Sequence, residues 1–419
     1  MLDLRLLREQ PDAMRAALER RGEPVDIESI LKLDAEVRDL MTRRDESRAE
    51  QKRISKEVPR LEGPQREEAV ARSKQKGAEV TECEGKLKPL QAELQERLLE
   101  LPNVPDPEVP DGESAEQNVE LRRWGEPRKE SWMKDHLALA ESLDLIDVKH
   151  SARFAGSRTY ILKGDLVLLE LAVLRYALDF IASRGYVPHS PPVMVRREAM
   201  EGTGYLPVGA DQSYELTRDD GWLVGTSEVP LTAIHAGETL KEEDLPLRYA
   251  GISACWRREA GTHGKDTHGV YRVHQFTKVE QVVIGRNDRD ETLKLHEEIV
   301  RNAEHVLQAL KLPYRVVSLS TGDLGRQPAY TYDIETWMPG RGVYGETHSA
   351  SRYYDFQTRR LNLRYKQGSQ KPQFCHTLNN TVIASPRILV ALLENYQRED
   401  GTVAVPDVLV PLVGKEVLG

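Results

Sequence analysis

The residue types best suited to phosphate chemistry are clustered between positions 248 and 280. An apolar run leads to Arg257, Glu259 follows two residues later, and Arg272 and Phe276 come after a polar loop that contains glycines. The planar guanidinium of arginine suits bidentate contact with a phosphate, and an aromatic ring offers a face on which a base can stack. The pattern therefore predicts a hairpin with a long basic loop. A charged surface hairpin without a ligand is the alternative for this segment taken alone.

Two other stretches combine polar groups with an element boundary. Residues 376–397 pass from a β-prone run through a Ser-Pro pair to Arg387, which begins a strongly apolar helix. Upstream, Glu346 and Ser349 lie in the stretch GETHSAS. Taken singly, an arginine at a helix start is more often a surface residue, and a lone serine is more often a capping residue. These residues therefore point to chemistry only in combination.

The N-terminal part of the chain is predicted to be helical. After a short helical lead-in over 1–24, apolar residues recur at three- and four-residue steps from 27 to about 58, which is typical of a helix with a narrow apolar seam. Residues 59–64 hold prolines and a glycine, and a second apolar series runs from about 65 to 101. Two long helices joined by a short turn form an antiparallel hairpin, here a projecting arm. Pro89 is expected to kink or split the second helix.

One face of the first long helix carries a basic stripe. Its members lie four positions apart and therefore on one side of a helix: Arg44, Arg48, Lys52 and Lys56. A stripe of this kind can follow a phosphate backbone. Acidic residues are interleaved with it, however, so the residues alone favour a solvated flank of a coiled coil.

Composition limits the class of protein. The chain has 419 residues, enough for two or three domains, and a net charge of −9 argues against a protein that coats nucleic acid through its overall charge. Its three cysteines are far apart and lack CxxC spacing, so neither a disulfide framework nor a cysteine-rich zinc site is expected. The most apolar run, 166–182, is interrupted by charged residues and predicts a buried helix rather than a membrane span.

The N-terminal composition and the cysteine usage bear on the compartment. The first residues show neither an apolar signal core nor an acid-free transit peptide. Widely spaced cysteines fit a reducing environment. We therefore expect a cytoplasmic protein with no membrane partner.

A proline- and acid-rich stretch at 102–118 marks a linker, and we predict domains at 1–110 and 111–419. In the second domain, residues 149–162 are expected to form a loop and a strand, and Asp165 is expected to cap a helix. Further on, short β-prone runs follow one another with hairpin-sized gaps and alternate with helices. This order predicts an α+β fold, an antiparallel sheet with helices packed on it, and the chain has no GxGxxG or GxxxxGK[ST] loop in a strand–helix unit.

Several of these stretches together resemble the motifs of class II aminoacyl-tRNA synthetases. The run Trp256-Arg257-Arg258-Glu259 resembles motif 2, residues 376–397 resemble motif 3, and about 175–195 resemble motif 1, the dimerisation element. With the loop GTHGKDTHG and the return segment VYRVHQFTKVE, motif 2 at about 248–280 is similar to that of the seryl-tRNA synthetase family. The resemblance covers essentially the whole chain. It implies a catalytic core with an antiparallel β-sheet flanked by helices, and an N-terminal tRNA-binding arm at about 27–101.

The resemblance implies a site for ATP. Arg257 would clamp the α-phosphate and the substrate carboxylate, while Glu259 would accept from the adenine amino group. Phe276 and Arg387 would cover the two faces of the adenine ring. The implied catalytic residues are Arg257, Glu259 and Arg387; the implied ATP-binding set is Arg257, Arg258, Glu259, Arg272, Val273, Phe276, Glu346, Thr347, His348, Ser349 and Arg387, with Glu346 and Ser349 holding Mg²⁺ on the phosphates. No zinc is expected.

The resemblance also implies a pocket for L-serine, made by Thr226, Ser227, Glu228, Arg257, Glu280, Asn379 and Thr381. Glu228 would pair with the α-ammonium group, and Glu280 and Thr381 would bond the hydroxyl. The chain has Ser227 where many family members have alanine, which is a small change. Lys265 and His268 replace arginines expected in many bacterial relatives. Both lie in the loop that approaches the tRNA acceptor end, so the handling of the acceptor is open.

The implied activity is serine–tRNA ligation, in which serine and ATP give seryl-adenylate and the seryl group then moves to tRNA(Ser), or to tRNA(Sec) where present. The resemblance implies a homodimer and reverses the interpretation of the basic stripe in favour of tRNA contact. Two alternatives remain. An amino acid:carrier-protein ligase shares the core but lacks the long arm, and a non-catalytic RNA-binding paralogue has no need of intact Arg257, Glu259, Glu346 and Arg387.

Overall fold

The computed structural model describes residues 1–261 and 269–419. The chain divides into two compact units. The arm unit comprises Leu2–Glu19 and Glu23–Leu101, and the sheet unit comprises Met1, Arg20–Gly22 and Pro102–Gly419. Lys265 and His268, singled out in the sequence, lie outside the described residues.

The arm unit is a pair of long helices preceded by two short ones. The helices are α1 (Leu4–Glu9), α2 (Pro11–Glu19), α3 (Ile27–Glu57) and α4 (Gly63–Glu100), with a 3₁₀ turn at Val58–Arg60 between the long pair. Asp26 caps α3 by accepting from the backbone N–H of Ser29 at 3.0 Å. A narrow seam of buried apolar residues holds α3 on α4, among them Val37, Ile54, Val80 and Leu87. The predicted helical hairpin is therefore confirmed.

Pro89 lies inside α4, which continues through it from Gly63 to Glu100. Of the two expected effects, the split is wrong, and a kink at Pro89 stays a prediction. Proline costs a helix one backbone hydrogen bond and a steric clash. Buried Leu87 and Leu94 flank the proline and pack in the seam with α3, and tertiary packing of this kind overrides local propensity.

The basic stripe on α3 is partly engaged in ion pairs with acidic neighbours. Arg44 pairs with Asp45 at 2.7 Å, and Arg48 pairs with Glu84 of α4. Lys52 and Lys56 are exposed. One acid interleaved with the stripe and one acid of α4 therefore pair with two of its four residues, which lowers the free positive charge of the stripe.

The sheet unit contains all the described strands. They are β1 (Val119–Trp124), β2 (Ile146–Asp147), β3 (Ile161–Leu162), β4 (Val187–His189), β5 (Met194–Val195), β6 (Tyr214–Leu216), β7 (Gly221–Leu223), β8 (Thr239–Lys241), β9 (Leu247–Trp256), β10 (Gln275–Gly285), β11 (Tyr314–Ser318), β12 (Tyr330–Met338), β13 (Val343–Tyr354), β14 (Arg364–Lys366), β15 (Gln373–Phe374), β16 (His376–Ala384), β17 (Val403–Ala404) and β18 (Val417–Leu418). Its helices are α5 (His136–Ser142), α6 (Val148–Ala155), α7 (Asp165–Ser183), α8 (Arg197–Thr203), α9 (Glu228–Ala233), α10 (Arg289–Ala309), α11 (Phe356–Leu361), α12 (Arg387–Tyr396) and α13 (Val410–Val413). Short 3₁₀ turns occupy Ala115–Gln117, Ala210–Gln212 and Glu242–Asp244.

Eight strands form the central sheet in the order β1-β11-β12-β13-β16-β10-β9-β4. Every pair is antiparallel except β4 with β9. Helices α7, α10 and α12 pack against this sheet, and the main hydrophobic core includes Ile181, Val283, Ile299 and Leu389. The predicted α+β fold is confirmed. Within the described ranges, no helix is both long and apolar enough to cross a membrane.

Three local expectations differ from the structure. Asp165 is the first residue of α7 and not its cap, because Gly164 occupies the cap position at φ 52° and the Asp165 carboxylate pairs with Lys415 at 2.7 Å. Residues expected to form a loop after 149 belong to helix α6, which Asp147 caps. The return strand of the motif 2 hairpin begins at Gln275 rather than Val270, whose N–H donates to His136 Nε2 at 3.2 Å instead of to a neighbouring strand.

Candidate active site

Strand β10 lines up three of the candidate site positions. Phe276, Lys278 and Glu280 alternate along it and therefore project from one face of the sheet, while Gln281 projects from the other. On β9 these three pair with Cys255, Ser253 and Gly251 without interruption. An aromatic ring, an ammonium and a carboxylate thus follow one another about 7 Å apart along one strand.

A bulge in β16 brings Thr381 to the same face. Glu280 pairs with Thr381, but Val279 pairs with Ile383, so Val382 is the extra residue. The Thr381 hydroxyl donates to Glu280 Oε2 at 3.5 Å, and both residues are buried. Two positions more than a hundred residues apart in sequence are therefore neighbours.

A second bulge, in β13, puts Glu346 and Ser349 on a common face. Three residues apart, they would project from opposite faces of a regular strand. Asp333 pairs with Ser349 and Glu335 pairs with Glu346, which leaves Thr347 as the extra residue. Because Asp333 and Glu335 share a face of β12, so do their partners.

These strands and the turn before α12 enclose a cleft of about 460 Å³, open solvent at its mouth included. Its lining residues are Arg257, Glu259, Tyr271, Arg272, Val273, Phe276, Lys278, Glu346, Thr347, Thr381, Ala384, Ser385, Pro386 and Arg387. We call the part formed by Arg257, Glu259, Arg272, Glu346 and Arg387 the arginine end. We call the neighbouring group of buried residues Glu228, Glu280, Asn379 and Thr381 the carboxylate end.

At the arginine end, Arg387 and Glu346 form an ion pair across two elements. Arg387 Nη1 lies 3.2 Å from Glu346 Oε1 and donates to the Glu346 backbone carbonyl at 3.0 Å. Burial alone would raise the pKa of the Glu346 carboxyl, but the charges of Arg387 and Arg257 outweigh burial and hold that pKa below its ordinary value. Glu346 is therefore an anion over the physiological range, with 43% of its side chain exposed.

Arg272 and Glu259 form a second ion pair at the arginine end, with Arg272 Nη1 2.7 Å from Glu259 Oε2. Glu259 adopts a left-handed backbone conformation at φ 52°, which turns the chain away from the end of β9. The Arg257 guanidinium lies over the Phe276 ring at 5.3 Å, and its Nε donates to the Gly225 carbonyl at 3.3 Å. Three arginines and an aromatic face thus converge on one cleft.

Tyr271 is a lining residue that the sequence analysis missed. Its hydroxyl donates to the Glu346 carbonyl at 3.0 Å, and its own carbonyl accepts from Arg387 Nε at 3.2 Å. Its ring lies 4.6 Å from the Arg387 guanidinium and 4.0 Å from that of Arg341. No spacing signal could have found it, because residues 270–274 are irregular and follow neither strand nor helix periodicity.

Lys278 is the second lining residue missed from sequence. Its side chain is 6% exposed and forms an ion pair with Glu280, which is 2% exposed. The alternation Phe276, Lys278, Glu280 could have indicated it. Lys278 lies on β10 between the ring at the arginine end and the acid at the carboxylate end, where a cation could reach either.

The carboxylate end is buried almost completely. Glu228 begins α9 with 4% of its surface exposed, and its carboxylate accepts from the Tyr205 hydroxyl at 2.8 Å and from Gln357 Nε2 at 2.7 Å. Burial, and then the charge of Glu280, raise the pKa of Glu228, while the hydrogen bonds and Lys278 oppose that rise. Asn379 donates to the Tyr353 hydroxyl at 3.0 Å.

Several of the named residues use their side chains elsewhere. The Thr226 hydroxyl accepts from the Glu228 N–H at 3.2 Å, and the Ser227 hydroxyl bonds Ser253 Oγ at 2.7 Å inside the core. His348 Nε2 bonds the Val382 carbonyl at 3.0 Å, and burial lowers its pKa to about 4, so this imidazole is neutral. The remaining two are Thr347, whose hydroxyl bonds Thr336 at 2.7 Å, and Arg258, which is exposed.

Glu346 and Ser349 together suit Mg²⁺ held through a nucleotide. Both supply oxygen, and the bulge gives them a common face. Mg²⁺ keeps several waters and is commonly bound by one or two protein oxygens plus substrate phosphates. Among the described residues, no cluster of three or more His, Cys, Asp or Glu side chains could hold a metal by itself. The donor set therefore fits a metal that arrives with phosphates.

Two segments of the chain match known protein families. Residues 1–105 match a family described as "Seryl-tRNA synthetase N-terminal domain". Residues 214–396 match one described as "tRNA synthetase class II core domain (G, H, P, S and T)". The second match contains the whole cleft.

Individual relatives match over the full length. The serine–tRNA ligase of Deinococcus radiodurans is 45% identical over 100% of this chain and 99% of its own, and that of Rubrobacter xylanophilus is 42% identical with the same coverage. The crystal structure of seryl-tRNA synthetase from Pyrococcus horikoshii complexed with ATP superposes with a TM-score of 0.94 at 41% identity, covering 100% of this chain and 99% of that one. The serine–tRNA ligase of Naegleria fowleri in complex with AMP gives 0.88 at 33%, covering 100% and 98%. The chain belongs to the seryl-tRNA synthetase family of class II aminoacyl-tRNA synthetases, a family of ATP-dependent serine–tRNA ligases.

Proposed function

We propose that the cleft between β10, β13, β16 and the start of α12 is where this chain activates L-serine with ATP and then passes the seryl group to tRNA. The observation that carries the proposal is the pairing of two unlike ends on one sheet face. Three arginines line one end, and the buried carboxylates of Glu228 and Glu280 lie near the Thr381 hydroxyl at the other. Phosphates fit the first end and an ammonium with a hydroxyl fits the second.

Activation requires charge neutralisation more than proton transfer. The carboxylate of serine attacks the α-phosphorus of ATP, the bond to the bridging oxygen breaks, and pyrophosphate leaves with the electron pair. Two anions must approach each other, so fixed positive charge at the meeting point lowers the barrier. Arg257 is the residue we assign to that point, because it lies over the Phe276 ring and its Nε donates to the carbonyl of Gly225, three residues before Glu228.

ATP would occupy the arginine end. Phe276 and Arg387 would cover the two faces of the adenine, and Glu259 would accept from its amino group. Arg387 and Arg272 would give up their present acidic partners to bind the γ-phosphate region. When bound with ATP, Mg²⁺ would supply further charge neutralisation, with Glu346 and Ser349 as its protein oxygens. Two family members were solved in complex with ATP and with AMP, which supports nucleotide binding by this chain.

Serine would occupy the carboxylate end. Glu228 would pair with the α-ammonium group, and Glu280 with Thr381 would bond the hydroxyl. Asn379 would support this pocket through the Tyr353 hydroxyl. Thr226 would position Glu228 by accepting its N–H, while Ser227 would act only by packing.

The arm unit would bind tRNA. We propose that residues 1–110 form the tRNA-binding domain and 111–419 the catalytic domain, in a cytoplasmic homodimer. Arg48 and Arg44 would exchange their acidic partners for phosphates, and Lys52 and Lys56 already have exposed side chains. The match of residues 1–105 to a seryl-tRNA synthetase N-terminal domain supports this division.

Pyrophosphate exchange tests the activity directly. Exchange of labelled pyrophosphate into ATP should depend on serine, and the other nineteen standard amino acids should support far less. Charging of tRNA(Ser) with labelled serine tests the second step. Exchange that favours another amino acid would refute the serine assignment, and transfer to a carrier-protein thiol instead of tRNA would favour the carrier-protein ligase.

Removing the arm separates the two steps. Deletion of residues 28–101 with joined ends should leave serine-dependent exchange and remove most tRNA charging. Charge reversal at Arg44, Arg48, Lys52 and Lys56 should weaken tRNA binding and flatten its salt dependence. In verified heterodimers, an arm-deleted subunit and an Arg257→Ala subunit should together regain charging if each arm serves the partner's active site. Normal charging by the deleted protein would reassign the arm.

A further inference from the structure

The carboxylate of Glu228 is held by two residues from outside the recognised motifs. Tyr205, just after α8, donates its hydroxyl to Oε2 at 2.8 Å, and Gln357, in α11, donates Nε2 to Oε1 at 2.7 Å. Each carboxylate oxygen therefore receives one neutral donor from a different element. Tyr205 and Gln357 lie about 20 and 130 positions from Glu228 in sequence, so no local pattern links the three.

The orientation of the Gln357 amide is fixed by its other contacts. Thr377 Oγ1 donates to Gln357 Oε1 at 2.6 Å, and Gln357 Nε2 also donates to the Thr203 carbonyl at 3.2 Å. A backbone carbonyl can only accept, so the amide nitrogen must face it and Glu228. Gln357 and Thr377 are each 1% exposed. The amide cannot flip without leaving buried groups unsatisfied.

We propose that Tyr205 and Gln357 are positioning residues that hold Glu228 as an oriented carboxylate for the ammonium group of the amino-acid substrate. This inference rests on the proposed role of Glu228 in serine binding. A carboxylate oxygen can accept more than one hydrogen bond, so one donor on each oxygen fixes the plane and leaves lone pairs for the ammonium. A binding group that is already held in its bound orientation gives tighter binding than a mobile one, because its side chain loses no conformational freedom when the substrate binds.

Neutral donors suit this task better than a cation would. A cation salt-bridged to Glu228 would compete with the substrate ammonium, whereas a hydroxyl and an amide stabilise the charge without replacing it. The titratable groups that interact with Glu228 are Tyr205, Glu280, Lys278 and Tyr353. Of these only Lys278 is cationic, and its ion pair is with Glu280.

Two variants of the full chain test the inference by serine-dependent pyrophosphate exchange. Gln357→Met keeps the side-chain length and removes the amide, and Tyr205→Phe removes only a hydroxyl. Each should raise KM for serine about tenfold or more, the loss expected for one hydrogen bond to a charged group, while KM for ATP stays within about twofold. Tyr205→Phe is the milder change and carries the test if Gln357→Met does not fold.

A buried glutamine on the opposite face of the sheet is the matched control. Gln281 is 0% exposed and donates to the Ile299 carbonyl at 2.9 Å. Gln281→Met should lose stability but keep KM for serine within about twofold, because it removes a buried amide hydrogen bond that does not involve Glu228. L-Glycerate, which carries a hydroxyl in place of the ammonium, adds a second measurement as a competitive inhibitor. The ratio of the affinity for serine to the affinity for glycerate should fall in both site variants and stay constant in the control.

The outcomes are distinct. Equal rises in KM for serine and ATP, or an unchanged preference against glycerate, would reduce Tyr205 and Gln357 to structural residues and overturn the inference. A wild-type chain without serine-dependent exchange would refute the proposed function itself. Wild-type activity with unaltered KM in both site variants would refute only the positioning role.

Discussion

The arginine end and the carboxylate end of the cleft hold their charges in different ways. At the arginine end, Arg272 and Arg387 pair with Glu259 and Glu346, and 43% of the Glu346 side chain remains exposed. At the carboxylate end, Glu228 and Glu280 are at least 96% buried, and the partners of Glu228 are mostly neutral. Ion pairs hold the charged groups of the arginine end, whereas two neutral donors hold Glu228 at the carboxylate end.

This difference corresponds to the proposed ligands. A triphosphate with Mg²⁺ would bring charges of both signs, and the arginine end offers both guanidinium groups and carboxylates to meet them. Serine brings one ammonium and one hydroxyl, and a buried polar site that matches these groups rejects analogues that lack them. We therefore expect changes at the arginine end to affect the rate of activation and changes at the carboxylate end to affect the choice of amino acid.

The largest expected effect is that of Arg257→Ala. Loss of the cation at the meeting point of two anions should lower serine-dependent exchange by about 10³-fold or more, with the serine-to-alanine ratio unchanged. Circular dichroism and thermal melting of the variant check that it is folded. Exchange within a few-fold of wild type in a folded variant would remove Arg257 from the reaction.

Lys278→Met should give the largest change in stability. Removing one partner of a buried ion pair leaves Glu280 as an uncompensated charge, which costs about 3–5 kcal/mol of the free energy of unfolding. Lys311→Met, which breaks an ion pair whose partners are 66% and 80% exposed, is the matched control, and surface pairs of this kind cost about 1 kcal/mol or less. Urea unfolding measures both. Similar losses in the two variants would mean that the Lys278–Glu280 pair is not buried in solution. Partial recovery of the free energy of unfolding in Lys278→Met/Glu280→Gln would support the view that the lone Glu280 charge causes the loss.

How far the sequence predicts this molecule depends on the range of the interactions. The helices of the arm follow from periodicity, because their contacts lie within one hairpin. The sheet class follows from the spacing of β-prone runs. Asp165 was misassigned as a cap because its carboxylate pairs with Lys415, some 250 positions away, a contact that no local signal reports.

The candidate site shows the same limit more sharply. Strand alternation predicts opposite faces for Glu346 and Ser349, and only the bulge at Thr347 unites them. The family resemblance implies that these two residues act together, but it does not report the bulge that places them on one face. Tyr205, Gln357 and Tyr271 were missed because each acts through a contact between distant segments. Resemblance implies which residues would touch a ligand, whereas the contacts that hold those residues in place are visible only in the structure.

Glu280→Gln and Thr381→Ala should each reduce the preference for serine over alanine. Alanine is smaller than serine and cannot be excluded by volume, so discrimination must come from groups that bond the hydroxyl. Each change should lower kcat/KM for serine by about 10- to 100-fold and leave alanine activation nearly constant. Exchange measured with serine, alanine, glycine and threonine checks this. Unchanged ratios would mean that these side chains do not read the hydroxyl.

The dependence on pH should also distinguish the ends. The pKa of Glu228 is raised by burial and by Glu280, so this group protonates earlier than an ordinary glutamate as pH falls. A protonated Glu228 cannot pair with an ammonium. The kcat/KM for serine should therefore fall on an acidic limb lying above about 4.3, the ordinary glutamate value. The Glu346 carboxyl should add no such limb to KM for ATP, because Arg387 and Arg257 lower its pKa. The same acidic limb in kcat/KM for serine and in KM for ATP would contradict the contrast between the two ends.

The smallest expected effect is that of Ser227→Ala, although Ser227 lies inside the Thr226-Ser227-Glu228 run named for serine binding. Its hydroxyl bonds Ser253 Oγ at 2.7 Å and approaches the Gly251 carbonyl at 3.4 Å, so it faces the core under the pocket. Alanine keeps the β-carbon, and Ser253 still has Cys255 Sγ at 3.8 Å as a neighbour. The net loss is about one neutral hydrogen bond, so unfolding should cost about 1 kcal/mol and KM for serine should stay within about twofold. Pyrophosphate exchange should be measured for Ser227→Ala and Tyr205→Phe in parallel. Both variants remove one buried hydroxyl, but only the Tyr205 hydroxyl contacts the Glu228 carboxylate. A tenfold rise in KM for serine in Ser227→Ala would show that position 227 contacts the substrate. The carboxylate end would then include Thr226, Ser227 and Glu228.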